Sequence, residues 1–161
     1  MVIFKDTNSI EIENFSFTFV QELSPQRDGN GEIKQFIPQD STGKYIGREF
    51  NNNGDGPFCK FSIGFEWAGR PGVYALFTDD KLLYIGECQD LRRRFNAGYG
   101  HISFRNRLSD GQSTNCKINT MILKQYLDGK KVRLYFLETE DYKRIEIKLI
   151  NTLSPRFNGP V

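Results

Sequence analysis

Two short triplets carry the residues of this chain that are best suited to chemistry. They are Gly72-Val73-Tyr74 and Tyr84-Ile85-Gly86, in the run GVYALFTDDKLLYIG. Four residues later comes Asp90-Leu91-Arg92-Arg93-Arg94-Phe95, which reads as an arginine-bearing helix with Asp90 as its N-cap. Phenol, guanidinium and carboxylate groups held close together suit phosphodiester chemistry, so the pattern bears on function as well as on fold.

The elements around the triplets read strand, strand, helix, helix, strand, helix. Alternation predicts strands over Val73–Phe77 and Leu82–Ile85, and helical spacing and caps predict helices. The further elements are a helix from Asp90 to about Gly98, a helix over Asn119–Leu127, a strand over Lys131–Thr139 and a helix from Asp141 to Leu153. The predicted fold is α+β, with a small mixed or antiparallel three-stranded sheet flanked by helices.

The chain before this module has a different pattern. Short alternating runs predict strands over Glu11–Leu23, Gly31–Pro38 and Phe58–Trp67, with a tight turn at Asp28–Gly31 and a mobile polar loop at Thr42–Gly56. We therefore predict a β-rich N-terminal region over residues 1–68, followed by a second module over residues 69–161.

The last helix carries a carboxylate inside its apolar stripe. Glu146 lies four residues after Tyr142 and four before Ile150, so it shares their face. A carboxylate facing a core is costly unless it is paired or binds a cation. Two interpretations stay open here: Glu146 binds a metal ion, or it leans to solvent and pairs with Lys143 or Lys148.

Arg94, Tyr74 and Tyr84 complete the candidate constellation. Arg94 falls beside the apolar positions Leu91 and Phe95, and a guanidinium binds phosphate bidentately without losing its charge. Taken singly, each tyrosine is equally consistent with a structural position in a strand. A phenol acts as a base near neutral pH only where nearby cations stabilise its anion.

The segment Leu91–Lys117 is locally basic, with six basic residues against one acidic residue, in a chain of net charge +2. Such a field on one segment favours a polyanionic partner, although a solvated loop is the alternative. The candidate nucleic-acid contacts in it are Arg105, Arg107, Asn115 and Lys117.

Cysteine usage and hydropathy bear on the compartment. The three cysteines are widely spaced with no C-x-x-C pair, which is typical of reduced thiols in the cytoplasm. Met1–Ile10 is charged and has no long apolar run, so we expect no signal peptide. No stretch approaches the ~20 apolar residues of a membrane span, so no membrane partner is expected.

Together these motifs resemble the GIY-YIG nuclease family. The two triplets match its two tyrosine motifs, Arg94 its helix arginine, Glu146 its metal-binding glutamate and Asn158 its closing asparagine. The run from Gly98 to Asn119 resembles small stand-alone members, the N-terminal part is loosely similar to phage endonuclease II, and the spacing from Glu146 to Asn158 resembles that in the excision-repair nuclease subunit. One position departs from the pattern: Glu87 follows the second triplet where many relatives have lysine.

The resemblance implies a DNA endonuclease of restriction, phage or repair type. It implies one divalent cation, Mg²⁺ or Mn²⁺, on Glu146, with Arg94 holding the scissile phosphate. Tyr74 would activate or position the attacking water with help from Tyr84, and Asn158 would order the site. The alternative is a non-catalytic nucleic-acid-binding module with the same fold. With one active site per chain, a homodimer or homotetramer is a reasonable way to cut both strands.

Overall fold

The structure is a computed structural model that describes residues 1–159, and it divides the chain into two compact units. The first unit is built from Met1–Leu23, Ile63–Arg92 and the chain from Lys130 onward. The second unit is built from Ser24–Ser62 and Arg93–Gly129. Each unit is thus assembled from segments that lie far apart in the sequence.

Six strands and four α-helices form the regular structure of residues 1–159. The strands are β1 (Val2–Phe4), β2 (Ser9–Ile12), β3 (Phe15–Glu22), β4 (Gly72–Thr78), β5 (Lys81–Cys88) and β6 (Arg133–Glu138). The α-helices are α1 (Leu91–Arg93), α2 (Phe104–Arg107), α3 (Ser113–Leu127) and α4 (Tyr142–Leu153). A 3₁₀ helix covers Phe65–Trp67, and α1 continues as a π-helix over Arg94–Tyr99.

The first unit is organised by one antiparallel sheet in the order β1-β2-β3-β6-β4-β5. The predicted α+β class is confirmed, with β6, β4 and β5 as the three expected strands. The sheet is nevertheless larger than predicted, because β3 pairs with the free edge of β6 and brings β1 and β2 with it. The phenylalanine alternation of β3 supplies one buried face for this extension.

Helix α4 covers one face of this sheet. Its buried residues Ile145 and Leu149 pack in a core cluster with Val73, Ala75 and other side chains from that face. The remaining buried members are Ile10, Ile12, Phe17, Phe77, Ile85 and Tyr135. Successive strand residues alternate between faces, so this cluster fixes which side chains of β4 and β5 point away from α4.

The second unit contains α2, α3, the π-helix and the irregular segment 24–62. The predicted strands over Gly31–Pro38 and Phe58–Trp67 do not form; instead the chain makes single bridges, including Phe36 with Phe58. Helix α3 begins at Ser113, six residues before the predicted Asn119. Between residues 1 and 159 no helix is both long and apolar enough to cross a membrane.

Candidate active site

Strand pairing brings the two triplets together. In the antiparallel register of β4 and β5, Tyr74 lies opposite Gly86 and Leu76 lies opposite Tyr84. Opposed residues share a face, so both phenols project from the same side of the sheet. The ring centroids of Tyr74 and Tyr84 are 6.3 Å apart, with the ring planes inclined by 33°. The sequence motif is therefore a pair of neighbouring phenols.

The two motif glycines make room for this arrangement. A Cβ atom built on Gly86 would overlap the ring and the hydroxyl of Tyr74. A Cβ atom built on Gly72 would overlap the carbonyl of Leu137 and the ring of Phe136. Both glycines are therefore required by close approach within the sheet, which explains why each triplet contains one at its outer end.

The two phenols differ in exposure. Tyr74 is 1% exposed and is packed between its neighbours, whereas Tyr84 is only partly buried. Burial disfavours the charged form of a phenol and keeps water away from its oxygen. Of the two, Tyr84 is therefore the one that a water molecule and a substrate can reach.

Glu146 comes from the helix on the other face of the sheet. It is partly buried, on the same side of α4 as Tyr142 and Ile150, which contact the core cluster. Glu87 is also partly buried, and it lies opposite Val73 in the β4–β5 register. Since Val73 belongs to the α4-facing core, Glu87 shares the face that α4 covers, and the phenols point the other way.

Asn158 binds the outer edge of β5. The backbone N–H of Ile85 donates to Asn158 Oδ1 at 2.8 Å, and Asn158 Nδ2 donates to the carbonyl oxygen of Ile85 at 2.7 Å. The Phe157 N–H donates to the Leu83 carbonyl at 2.9 Å. The segment therefore pairs with the edge strand much as another strand would, and Asn158 holds the backbone between Tyr84 and Gly86. Its side-chain amide is used for positioning.

Arg94 begins the π-helix that follows α1, and it lies in the second unit. Its side chain is partly buried, whereas that of the preceding Arg93 is exposed. The helix ends at Tyr99, close to the predicted Gly98, and Gly100 follows as its C-cap. The inward bias expected for Arg94 from Leu91 and Phe95 agrees with this burial, while its binding of phosphate stays a prediction.

Two of the four predicted nucleic-acid contacts are buried in the second unit. Arg107 is 5% exposed; its Nε donates to the carbonyl of Gly54 at 2.7 Å and its Nη1 donates to that of Pro38 at 2.5 Å. Its guanidinium carbon also lies 4.1 Å from the ring centroid of Phe50. Burial lowers the pKa of Arg107 from its ordinary value, although the neighbouring Cys116 and Asp55 act in the opposite direction. The geometry gives Arg107 a role in fixing the loop.

Asn115 is likewise buried, at 5% exposure, and donates from Nδ2 to Gln112 Oε1 at 2.6 Å. Lys117 is partly buried and Arg105 is exposed. Arg105 and Lys117 are therefore the members of the predicted set that an external phosphate can reach most readily.

An exposed ion-pair network adds Arg48 to this surface. Asp110 accepts from Arg48 at 2.7 Å and from Arg105 at 3.0 Å. Desolvation would raise the pKa of Asp110, but the Arg48 hydrogen bond and the charges of Arg105 and Arg48 outweigh it and lower that pKa. Sequence reasoning did not find Arg48, since the contact joins residues 62 positions apart and has no local signal.

Asn119 is a second residue that the sequence did not single out. It is fully buried and closes three hydrogen bonds: Cys59 N–H donates to its Oδ1 at 3.0 Å, and its Nδ2 donates to the carbonyls of Cys59 at 2.8 Å and Tyr99 at 2.7 Å. It thereby ties the segment before the triplets to the end of the π-helix. The sequence signal that could have identified it is an asparagine among the apolar residues of a helix, a position where a polar side chain needs hydrogen-bond partners.

The described residues contain no group of three or more His, Cys, Asp or Glu side chains able to hold a metal ion. Cys59, Cys88 and Cys116 are all buried, and none of them is in a disulfide among the described residues. Burial raises the pKa of Cys59 to about 12 and that of Cys116 to about 11, the latter partly offset by Arg107. The Cys59 and Cys116 thiols are therefore held in the protonated form, which is a poor metal ligand and a poor nucleophile.

Comparison with known proteins gives one partial match. Over 93 residues, 55% of the chain, the sequence is 34% identical to the UvrABC system protein C of Anaplasma phagocytophilum (strain HZ). The match spans 12% of that protein's length. No family model matches the chain, and no solved structure matches it. The partial match supports the relationship to GIY-YIG nucleases that the motifs indicate.

Proposed function

We propose that the protein is a metal-dependent endonuclease that hydrolyses phosphodiester bonds in DNA. The observation that carries the proposal is the pair of phenols on one sheet face, with the Tyr74 ring seated on Gly86 and 6.3 Å from the ring of Tyr84. The partial likeness to UvrABC system protein C supports it independently of this geometry.

Tyr84 is the phenol that we assign to the attacking water. The family resemblance implies this role for Tyr74 with help from Tyr84 and leaves open which phenol takes the proton; of the two, Tyr74 is 1% exposed and Tyr84 is only partly buried. A residue that takes a proton from water must lie within hydrogen-bond reach of it. In this mechanism Tyr84 acts as its phenolate, having released its own proton to solvent: Oη orients the water, takes one proton from it and becomes the neutral phenol, and the hydroxide so formed attacks the phosphate. Tyr74 packs against Tyr84 and fixes the position of its ring.

The proposed cation site consists of Glu146 with Glu87 as a second carboxylate. Both side chains are partly buried, and strand register places Glu87 on the face that α4 covers. Oxygen ligands from one or two carboxylates, completed by water and substrate phosphate, fit Mg²⁺ or Mn²⁺. A bound cation would supply charge stabilisation for the phosphate and for the departing oxygen. Because these carboxylates and the phenols lie on opposite faces of the sheet, the proposal places the phosphate at the edge strand β5, where the two faces meet.

The remaining roles follow the basic residues. Arg94 is proposed to bind the scissile phosphate, and Arg105 and Lys117 to contact the DNA backbone, with Arg48 joined to Arg105 through Asp110. Arg107 and Asn115 support the loop from inside. Assembly into a homodimer or homotetramer remains part of the proposal, since one site cuts one strand at a time.

Plasmid cleavage tests the function. We expect the protein to nick supercoiled DNA with Mg²⁺ or Mn²⁺ and to stop when EDTA is added. The variants Glu146→Gln, Arg94→Ala and Tyr84→Phe should each be slower by about 100-fold or more, as for a lost catalytic group. Glu140→Gln is the matched control, because Glu140 is an exposed carboxylate just before α4.

Two outcomes would contradict the proposal. Equal cutting by wild type and Glu146→Gln would identify a contaminating nuclease. Salt-sensitive DNA binding without cutting under any metal condition would favour the non-catalytic binding module instead. Selective loss in Tyr74→Phe, with Tyr84→Phe active, would reverse the assignment of the two phenols.

A further inference from the structure

An exposed aromatic ring lies just before the first triplet with an arginine against it. Phe65, in the 3₁₀ helix, is 78% exposed, although a free-standing phenylalanine ring in water is unfavourable. The guanidinium carbon of Arg92 lies 5.4 Å from its ring centroid. We call Phe65 and Arg92, with the neighbouring Trp67 and Arg70, the Phe65 platform. All four residues belong to the first unit.

Arg92 is the cation of this platform that has no ion pair with the described residues. Arg70 Nη2 pairs with Glu138 at 2.7 Å, and its guanidinium carbon stacks 4.3 Å from the ring centroid of Trp67. Arg92 has no ion pair with any of residues 1–159, and its Nε is buried without a hydrogen-bond acceptor. A buried donor without an acceptor is unfavourable, and rotation of the guanidinium toward an anion would relieve it.

The platform adjoins the face that carries the two phenols. Trp67 packs edge-on against Phe136, with ring centroids 5.9 Å apart and planes at 90°. Phe136 lies opposite Tyr74 in the β4–β6 register, so it shares the phenol face of the sheet. The Arg70 carbonyl also accepts from the Leu91 N–H at 3.0 Å, which holds the start of α1 beside the 3₁₀ helix. The platform is therefore built into the same sheet as the proposed site.

We propose that the platform binds an unpaired nucleotide of the DNA, with the base stacked on Phe65 and its phosphate on Arg92. An exposed ring offers a stacking face that any base fits, and an unpaired guanidinium complements the adjacent phosphate. A base paired inside a duplex cannot present its face to the ring, so the substrate must have an unpaired or extruded nucleotide beside the cleaved bond. The inference rests on the proposed function, since it assigns the platform to the same substrate.

Trp67 makes the binding directly measurable. It is the single tryptophan of the chain, and it lies in the platform. The test is a titration of the protein with an eight-nucleotide thymidine oligomer and, separately, with a hairpin duplex, both in EDTA, in which the fluorescence and anisotropy of Trp67 are measured. The oligomer should change the fluorescence and bind more tightly than the duplex. Phe65→Ala should weaken oligomer binding about 5- to 100-fold, the range for one lost base–aromatic stack, whereas Phe65→Tyr should retain it.

The matched control for the ring is Leu127→Ala, because Leu127 is 53% exposed at the end of α3. For the charge, Arg92→Gln should weaken binding and reduce the salt slope by about 0.7, one single-strand phosphate contact. Arg27→Gln, at an exposed arginine just before the Asp28–Gly31 turn, should leave that slope unchanged.

Equal oligomer affinities of wild type and Phe65→Ala would overturn the proposal, as would an unresponsive Trp67 signal or an unchanged salt slope in Arg92→Gln. The result is separable from the proposed function, because binding is measured in EDTA. If the oligomer changes Trp67 fluorescence and binds through Phe65 but plasmid DNA is not cleaved, the proposed nuclease function is wrong and the proposed binding by the Phe65 platform is supported. If plasmid DNA is cleaved but Phe65→Ala does not weaken oligomer binding, the proposed binding is wrong and the nuclease function is supported.

Discussion

Replacing Gly86 by alanine tests the packing on which the candidate site depends. A methyl group on Gly86 would occupy the position of the Tyr74 ring and hydroxyl, and Tyr74 is 1% exposed, so the ring has little room to retreat. Gly86 has no positive φ, hence the cost is steric overlap without backbone strain. Overpacking of this kind costs about 1–3 kcal/mol. For a chain of 161 residues this lowers the melting temperature by roughly 2–12 °C.

Thermal and urea unfolding of four variants would measure this effect: Gly86→Ala, Gly29→Ala, Tyr74→Leu and the Tyr74→Leu/Gly86→Ala double variant. Gly29→Ala is the control, since a Cβ atom there meets nothing within 4 Å, and its change should stay within about 0.5 kcal/mol. In a Tyr74→Leu background the shorter side chain vacates the overlap, so Gly86→Ala should cost at least about 1 kcal/mol less than in wild type. Equal costs in both backgrounds, or a Gly86→Ala variant as stable as Gly29→Ala, would show that Tyr74 does not lie over Gly86.

Two further predictions concern the edge strand and the thiols. Asn158→Ala removes both hydrogen bonds to Ile85 and should lower the free energy of unfolding by about 1–3 kcal/mol in urea titrations. Asn158→Asp keeps the acceptor but sets a carboxylate oxygen against the Ile85 carbonyl oxygen, so it should lose at least as much. No loss in either variant would mean that the edge strand is held by other contacts. Burial raises the pKa of Cys59 to about 12 and that of Cys116 to about 11, so the unfolded chain releases these protons at lower pH than the folded protein does. The stabilisation of the folded protein from these two thiols is therefore fully present below about pH 9 and falls as the pH rises toward 11–12. Urea unfolding midpoints at pH 7 and pH 10 measure this effect, and the midpoint should fall less between the two pH values in the Cys59→Ala/Cys116→Ala double variant than in wild type. Reaction of the native thiols with Ellman's reagent at pH 8 as fast as in urea would contradict the prediction.

The elements that could be predicted from the sequence are those with local signals. Alternation and turn residues place β4 and β5, and helical spacing places α4 from Tyr142 to Leu153 as the structure has it. The pairing of Tyr74 and Tyr84 follows from a tight antiparallel connection, because register fixes which side chains share a face. The stripe on α4 places Glu146 on the face of Tyr142 and Ile150, and its side chain is partly buried; its binding of a metal ion stays a prediction.

The features that the sequence could not show depend on distant partners. The alternation of β3 predicts a strand but not its pairing with β6, and this pairing enlarges the sheet. The sequence places Arg107 among the candidate DNA contacts because its segment is basic, whereas in the structure its guanidinium donates to the carbonyl oxygens of Pro38 and Gly54. The segments over Gly31–Pro38 and Phe58–Trp67 alternate as strands do, yet among the described residues their strand pairing with each other is limited to the single bridge of Phe36 with Phe58.

The pairing of β3 with β6 also sets when the first unit can form during synthesis. Thr18 pairs with Phe136, so β3 can pair with β6 only after most of the described chain has been synthesised. At about 5–20 residues per second the interval is roughly 6–24 s, long compared with the formation of a hairpin in microseconds. During that time β3 has no β6 partner, and we expect its open edge and its phenylalanine side chains to be less covered than in the finished sheet, a state that favours aggregation or chaperone binding. Because the enlarged sheet needs this late pairing, we expect the chain to aggregate more readily during synthesis than after folding.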